Sequence, residues 1–144
     1  MIEGSVAIVT GGVSGLGFGA AKRMVAAGGR VVMLDLNETR GAQAATELGD
    51  HARFIHCDVR DPANVVAAVT GAVESFGEIN VLVNAAGVAP AQRVVARDGS
   101  LFDLDLFRFV IDVNLIGMFD VIRNVAGAMA GNEPGESGER GVIV

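Results

Sequence analysis

The chain has 144 residues, 51% of them hydrophobic, and a formal net charge of −6, which is enough apolar matter for one domain with a buried core. Its acidity, with no basic stripe, argues against a phosphate backbone as partner, so no nucleic-acid role is expected, and no apolar run reaches bilayer length before Gly, Asn or a charge interrupts it. Met1 to Ser5 shows neither a secretory nor an Arg-rich leader, and the single Cys57 can close no internal disulfide, so the expected location is cytoplasmic.

Val6-Ala7-Ile8-Val9 is a short apolar run ending in Thr10-Gly11-Gly12, the pattern of a buried strand and a turn. A helix is expected from Gly15 to Ala27, with Leu16, Ala20, Met24 and Ala27 at helical spacing and Gly28-Gly29 closing it. Arg30 to Asp35 reads as a second strand. Asn37 is placed to cap a helix from Glu38 to Leu48. Arg53 to Asp58 reads as a third strand, and Asp61-Pro62 opens a helix as cap and proline, with Val65, Val66, Val69, Val73 and Phe76 expected on its buried face. Ile79 to Val83 is a fourth strand, closed by Asn84-Ala85-Ala86-Gly87.

Residues 88 to 102 lack a period and contain Pro90 and Gly99, so a loop is expected. A long helix should span Asp105 to Ala130, with Phe107, Val110, Ile111, Leu115, Met118 and Ile122 along one side, which suits either a core or a subunit interface. Gly131 to Gly141 is a polar surface loop, and Gly141 to Val144 begins a fifth strand. Alternating strands and helices predict an α/β fold: a doubly wound parallel Rossmann sheet in three layers, strand order 3-2-1-4, incomplete at the fifth strand. Residues 1–144 form a single NAD-binding Rossmann domain in this reading, with the catalytic C-terminal part absent.

The strongest chemical signal is Thr10-Gly11-Gly12-Val13-Ser14-Gly15-Leu16-Gly17. It lies between the first strand and the first helix, where a dinucleotide fold needs it. Gly11 allows the tight turn, Gly15 lets the backbone approach a pyrophosphate, and Gly17 allows close helix packing. The pyrophosphate rests on N–H groups at the helix start, so Ser14 and Leu16 join the cofactor-binding set. A glycine-rich turn with no ligand is the alternative. Asp35 follows about 20 residues later, where a carboxylate accepts from the adenosine ribose hydroxyls. It repels a 2′-phosphate, and Leu36 and Asn37 offer no cation, so NAD is expected over NADP. An Asp that only caps a turn is the other reading. His51, His56 and Cys57 lack metal-ligand spacing, so no metal site is expected.

The order of these motifs, with Asp58, Asn84-Ala85-Ala86-Gly87 and Asn114, resembles the short-chain dehydrogenase/reductase family along the whole chain. Within it, Asp112-Val113-Asn114-Leu115, Asn124 to Gly127, Asn132-Glu133-Pro134 and Arg140 to Ile143 are similar to the type-2 3-hydroxyacyl-CoA dehydrogenase (17β-hydroxysteroid dehydrogenase type 10) branch. The resemblance implies that Asp58 bonds the adenine amino group and that Val59 lines the adenine pocket. It implies that Asn84 braces the sheet and that Ala85, Ala86 and Gly87 run beside the nicotinamide ribose. Asn114 is implied as a catalytic residue, mid-helix, where a kinked backbone holds a water in a proton relay; a hydrogen bond within the core would equally explain an Asn there. The loop after Gly87 is implied to help form the substrate pocket.

The family's catalytic Ser and Tyr-x-x-x-Lys should follow the fifth strand. This chain has no Tyr, and its only Lys is Lys22 in the first helix. The expected activity is therefore that of a longer parent: NAD-dependent oxidation of a secondary alcohol, 3-hydroxyacyl-CoA or steroid-like, or reduction of the matching ketone. The rival is a non-catalytic dinucleotide-binding module. The expected partners are a small-molecule alcohol or ketone and further copies of the chain in a dimer or tetramer, with no nucleic acid and no membrane.

Overall fold

A computed structural model describes residues 2–144. Five strands, β1 (Val6–Thr10), β2 (Arg30–Asp35), β3 (Ala52–His56), β4 (Val81–Asn84) and β5 (Val142–Ile143), form one sheet in the order β3-β2-β1-β4-β5. Every pairing is parallel. Five α-helices cover it: α1 (Gly15–Ala26), α2 (Glu38–Leu48), α3 (Pro62–Phe76), α4 (Leu104–Ile111) and α5 (Met118–Met129), with a 3₁₀ turn at Gly49–His51 and a π-helical segment at Asp112–Gly117. This is the doubly wound α/β architecture that the alternation of strands and helices predicts.

Alternation along the strands builds two cores. Val6 and Ile8 of β1, with Val32 and Leu34 of β2, face one cluster that includes Val65 and Val69 of α3 and Val121 and Val125 of α5. Ala7 and Val9, with Val31 and Met33, face the other, under Ala21 and Met24 of α1 and Ala44 of α2. Successive side chains of a strand point to opposite faces, so a central strand covered on both sides must be apolar throughout. All five residues of β1 are buried.

Helix starts follow local chemistry. The Asn37 side chain accepts from Arg40 N at 2.9 Å, and the Asp61 side chain accepts from Ala63 N at 2.9 Å ahead of Pro62. The buried faces differ from expectation. In α1 the inward residues are Gly17, Ala21 and Met24, while Leu16 is 91% exposed. In α3, Ala68 and Ala72 join Val65 and Val69 inside, and Val66 and Val73 face outward. Small alanines, not the larger valines, let α3 lie close to the sheet.

The long helix is a further correction. It is interrupted by the π segment, and its buried line is Val113, Gly117, Val121, Val125 and Met129. Phe107, Leu115 and Met118, whose side suited either a core or a subunit interface, are exposed and take no part in the core. The segment expected to be a structureless loop contains a small hairpin: Val95 bridges Leu101, and Phe102 N donates to Val94 O at 2.9 Å. Within the polar loop after α5, Asn132 is buried and its amide donates to Ile79 O at 2.7 Å and Arg140 O at 2.9 Å, which ties the loop to the sheet ahead of β5. No helix among the described residues is long and apolar enough to cross a membrane.

Candidate functional site

The sheet order reverses between β1 and β4: the chain works outward from β1 through β2 to β3, then returns to place β4 on the other side. The loops leaving neighbouring strands part at such a switch and leave a crevice at the carboxyl ends. A cleft of about 440 Å³ lies there, lined by the turn after β1, the ends of β2 and β4, the Asp58–Arg60 turn, and Phe109 and Val113 from the long helix.

The turn after β1 is shaped by backbone contact. Gly11 has φ +60°, and a Cβ there would stand 2.8 Å from Ala85 O. A Cβ at Gly17 would collide with the Gly11 carbonyl oxygen and stand 2.8 Å from its carbon. At Gly17, helix α1 therefore packs against the turn itself. Thr10 supplies the matching clasp: its Oγ1 accepts from Ala85 N and Ala86 N, each at 3.1 Å. A threonine ending a buried strand carries this signal in the sequence, but it passes for an ordinary strand residue.

The start of α1 is open to a ligand. Ser14 makes no side-chain cap, and no acidic residue occupies the first turn. The first N–H groups of a helix have no partner within it and carry the positive end of its dipole. Beside Gly15 there is open space within 4 Å of where a Cβ would stand.

Asp35, at the end of β2, lines the same cleft. Its Oδ2 accepts from Val13 N at 3.4 Å and its Oδ1 from Asn37 N at 3.1 Å. It thus caps a local turn and ties the glycine loop to β2, and it still borders the cleft. Next along the wall, Asp58 is paired with Arg60 through Nη2 at 2.5 Å and Nε at 3.0 Å. The hydrogen bonds from Arg60 hold the Asp58 carboxyl below its usual range. Cys57, buried beneath, has its thiol pushed up to about 11, first by burial and then by Asp58, Asp61 and Asp120.

The structure brings Gly11, Ser14, Gly15, Leu16, Gly17, Asp35, Asp58, Val59, Ala85, Ala86 and Gly87 together on this one cleft. Asn84 and Asn114 stand behind the wall. Asn84 pins β4 to the segment after β5, with its N and Nδ2 donating to Val144 O at 2.8 and 3.3 Å. The Asn114 amide pairs with both backbone groups of Val88: Oδ1 accepts from Val88 N at 2.9 Å and Nδ2 donates to Val88 O at 2.8 Å. Asn114 thus makes the hydrogen bond that would explain an Asn in mid-helix, and it sits in a helix widened to the π form. Leu34, Leu36, Cys57, Arg60, Val88, Phe109 and Val113 complete the lining and carry no motif that would single them out.

Residues 5–144 match the short chain dehydrogenase family. The chain belongs to that family. It is 45% identical over 144 residues to the 3-hydroxyacyl-CoA dehydrogenase type-2 of Bos taurus, covering 99% of this chain and 55% of that protein. It is 41% identical over 128 residues to a 3-alpha-(or 20-beta)-hydroxysteroid dehydrogenase of Mycobacterium bovis, covering 88% of this chain and 46% of the other. The crystal structure of 3-hydroxyacyl-CoA dehydrogenase type-2 from Mycobacterium avium superposes with a TM-score of 0.89 at 41% identity, over 97% of this chain and 54% of that one. This short chain dehydrogenase chain therefore spans about half the length of the relatives it matches.

Proposed function

We propose that this chain is the dinucleotide-binding half of an oxidoreductase that interconverts a secondary alcohol and a ketone with NAD. The observation that carries the reading is the single cleft at the β1–β4 switch, which joins an uncapped helix start, a glycine turn and the Asp35 carboxylate. The donor set fits a dinucleotide: N–H groups of α1 for the pyrophosphate, Asp35 for the adenosine ribose, Asp58 and Val59 for the adenine, and the small residues Ala85 to Gly87 beside the nicotinamide ribose. Asp35 has no cation beside it in the Leu36-Asn37 turn, which favours NAD over NADP. When bound, NAD supplies the acceptor or donor of the hydride.

The substrate class we propose is a 3-hydroxyacyl-CoA or a steroid alcohol, as the names of the relatives suggest. The segment that starts at Val88, which lines the cleft, would form one wall for that substrate. Asn114 holds this wall to the π segment, whose backbone is the place for a water in proton transfer. The proton itself must pass to groups outside these residues: the chain has no Tyr, and Lys22 is held by Glu47 at 3.0 Å on the surface between α1 and α2. The rival reading is a dinucleotide-binding module without catalysis, and turnover by the intact protein separates the two.

Calorimetric titration of the intact protein with NAD and NADP, and of its Asp35→Ala variant, tests the proposal. Wild-type protein should prefer NAD by about tenfold or more, and the variant should lose that preference, as expected when the Asp35 charge no longer opposes a phosphate. Failure of the wild type to bind either dinucleotide would remove the reading. NAD binding without NAD-dependent turnover of any 3-hydroxyacyl-CoA or hydroxysteroid would favour the non-catalytic module.

A further inference from the structure

We propose that Arg60 is a positioning residue for the nucleobase: it braces the Asp58 carboxylate so that one oxygen faces the cleft as an acceptor for the amino group of an adenine. This rests on the dinucleotide reading above.

A carboxylate offers about four lone-pair sites. Oδ1 of Asp58 is filled, accepting from Arg60 N at 2.9 Å and Arg60 Nε at 3.0 Å. Oδ2 takes Arg60 Nη2 at 2.5 Å, with a longer contact from Nε at 3.2 Å. Nε carries one proton shared between the two oxygens, so three donor protons meet about four lone-pair sites, which leaves capacity for one more donor on a carboxylate that lines the cleft. Arg60 is itself held. Its guanidinium lies 5.0 Å from the Phe109 ring centroid, and Asp112 at the start of the π segment adds attraction. Helix and turn approach closely here because a Cβ at Gly117 would stand 2.8 Å from Val59 Cγ2. Asp58, Val59, Arg60 and Phe109 thus form one wall built from two elements.

The chemistry is selective. A base with an exocyclic amino group donates to the fixed anion, whereas a base with a carbonyl at that position meets it lone pair to lone pair. An ion pair this exposed, with Arg60 side-chain exposure of 41%, adds little to stability. What Arg60 contributes is orientation, and orientation shows in base selectivity.

The test is calorimetry on the intact protein with NAD and with nicotinamide hypoxanthine dinucleotide, which has a carbonyl in place of the adenine amino group. Wild-type protein should prefer NAD. Arg60→Gln, which keeps the aliphatic stem over Phe109, should lower that preference by about fivefold or more, on the scale of a hydrogen bond to a charged group. Arg60→Lys should fall between the two. Adding Arg60→Gln to Asp58→Asn should change the preference no further, because both act through one carboxylate. Equal weakening of both dinucleotides, or an unchanged ratio in a folded Arg60→Gln protein, overturns the role of Arg60 and leaves the dinucleotide site standing. No binding of either dinucleotide by the wild type overturns both.

Discussion

Single atoms decide the glycine turn. At Gly17 a methyl group would meet the backbone of Gly11, which cannot swing aside as a side chain can. Gly19, two residues along the same helix, has open space around it and an ordinary helical backbone. The two therefore separate contact from propensity. Gly17→Ala should cost about 2 kcal/mol or more and displace the start of α1, weakening dinucleotide binding, whereas Gly19→Ala should stabilise by about 0.5–1 kcal/mol. Chemical denaturation of both variants distinguishes them, and equal effects would mean that the turn yields. The pattern of glycines was legible in the sequence. What Gly17 touches was not, because that contact joins a helix to the turn before it.

Cys57 makes a second residue-scale case. A thiol pushed up to about 11 stays protonated at pH 8, and only the thiolate reacts. Native protein at pH 8 should react with a disulfide reagent far more slowly than unfolded protein, with the native rate rising only as pH approaches the raised value. Fast native labelling at pH 8 would show that burial does not hold.

Among the elements, those with punctuation at both ends were read almost to the residue. Arg30–Asp35 and Glu38–Leu48 match expectation, since Gly29, Asn37 and Gly49 mark them. The long helix was legible as a helix but not as a broken one. A π segment adds a residue to a turn and shifts every later side chain around the axis. Reading one unbroken period across Asp112–Gly117 therefore assigns Leu115 and Met118 to a packed side, when Val113, Gly117 and Val121 hold it. Asn114 marks the break. Its amide satisfies both backbone groups of Val88, so Asn114→Ala should leave two half-buried polar groups unpaired and cost about 1–3 kcal/mol. Asn114→Asp keeps the acceptor but sets an anionic oxygen against Val88 O, so it should cost at least as much at neutral pH. Denaturant midpoints for the two variants give the order, and an unchanged midpoint for Asn114→Ala would mean that water replaces the amide.

At the scale of the whole molecule, both faces of the sheet are covered by helices, and one group of exposed large apolar side chains lies on the outer side of the long helix. Leu115, Ile116 and Phe119 are 56%, 56% and 62% exposed. Their spacing puts them on one arc, opposite the buried line from Val113 to Met129. A run of exposed aliphatic and aromatic side chains on one helix marks an association face. A second copy of the chain is the occupant we predict, because an isologous pairing lays this stripe against itself with like chemistry on both sides. The face points away from the cleft, so dinucleotide binding offers an independent check on folding. Phe119→Glu in the intact protein should lower the assembly state seen by sedimentation and leave NAD affinity within about twofold, because a buried charge is opposed at the interface and nothing changes at the cleft. An unchanged sedimentation coefficient would place the interface elsewhere, and a joint loss of assembly and NAD binding would mean that pairing helps to shape the cleft through the π segment behind it.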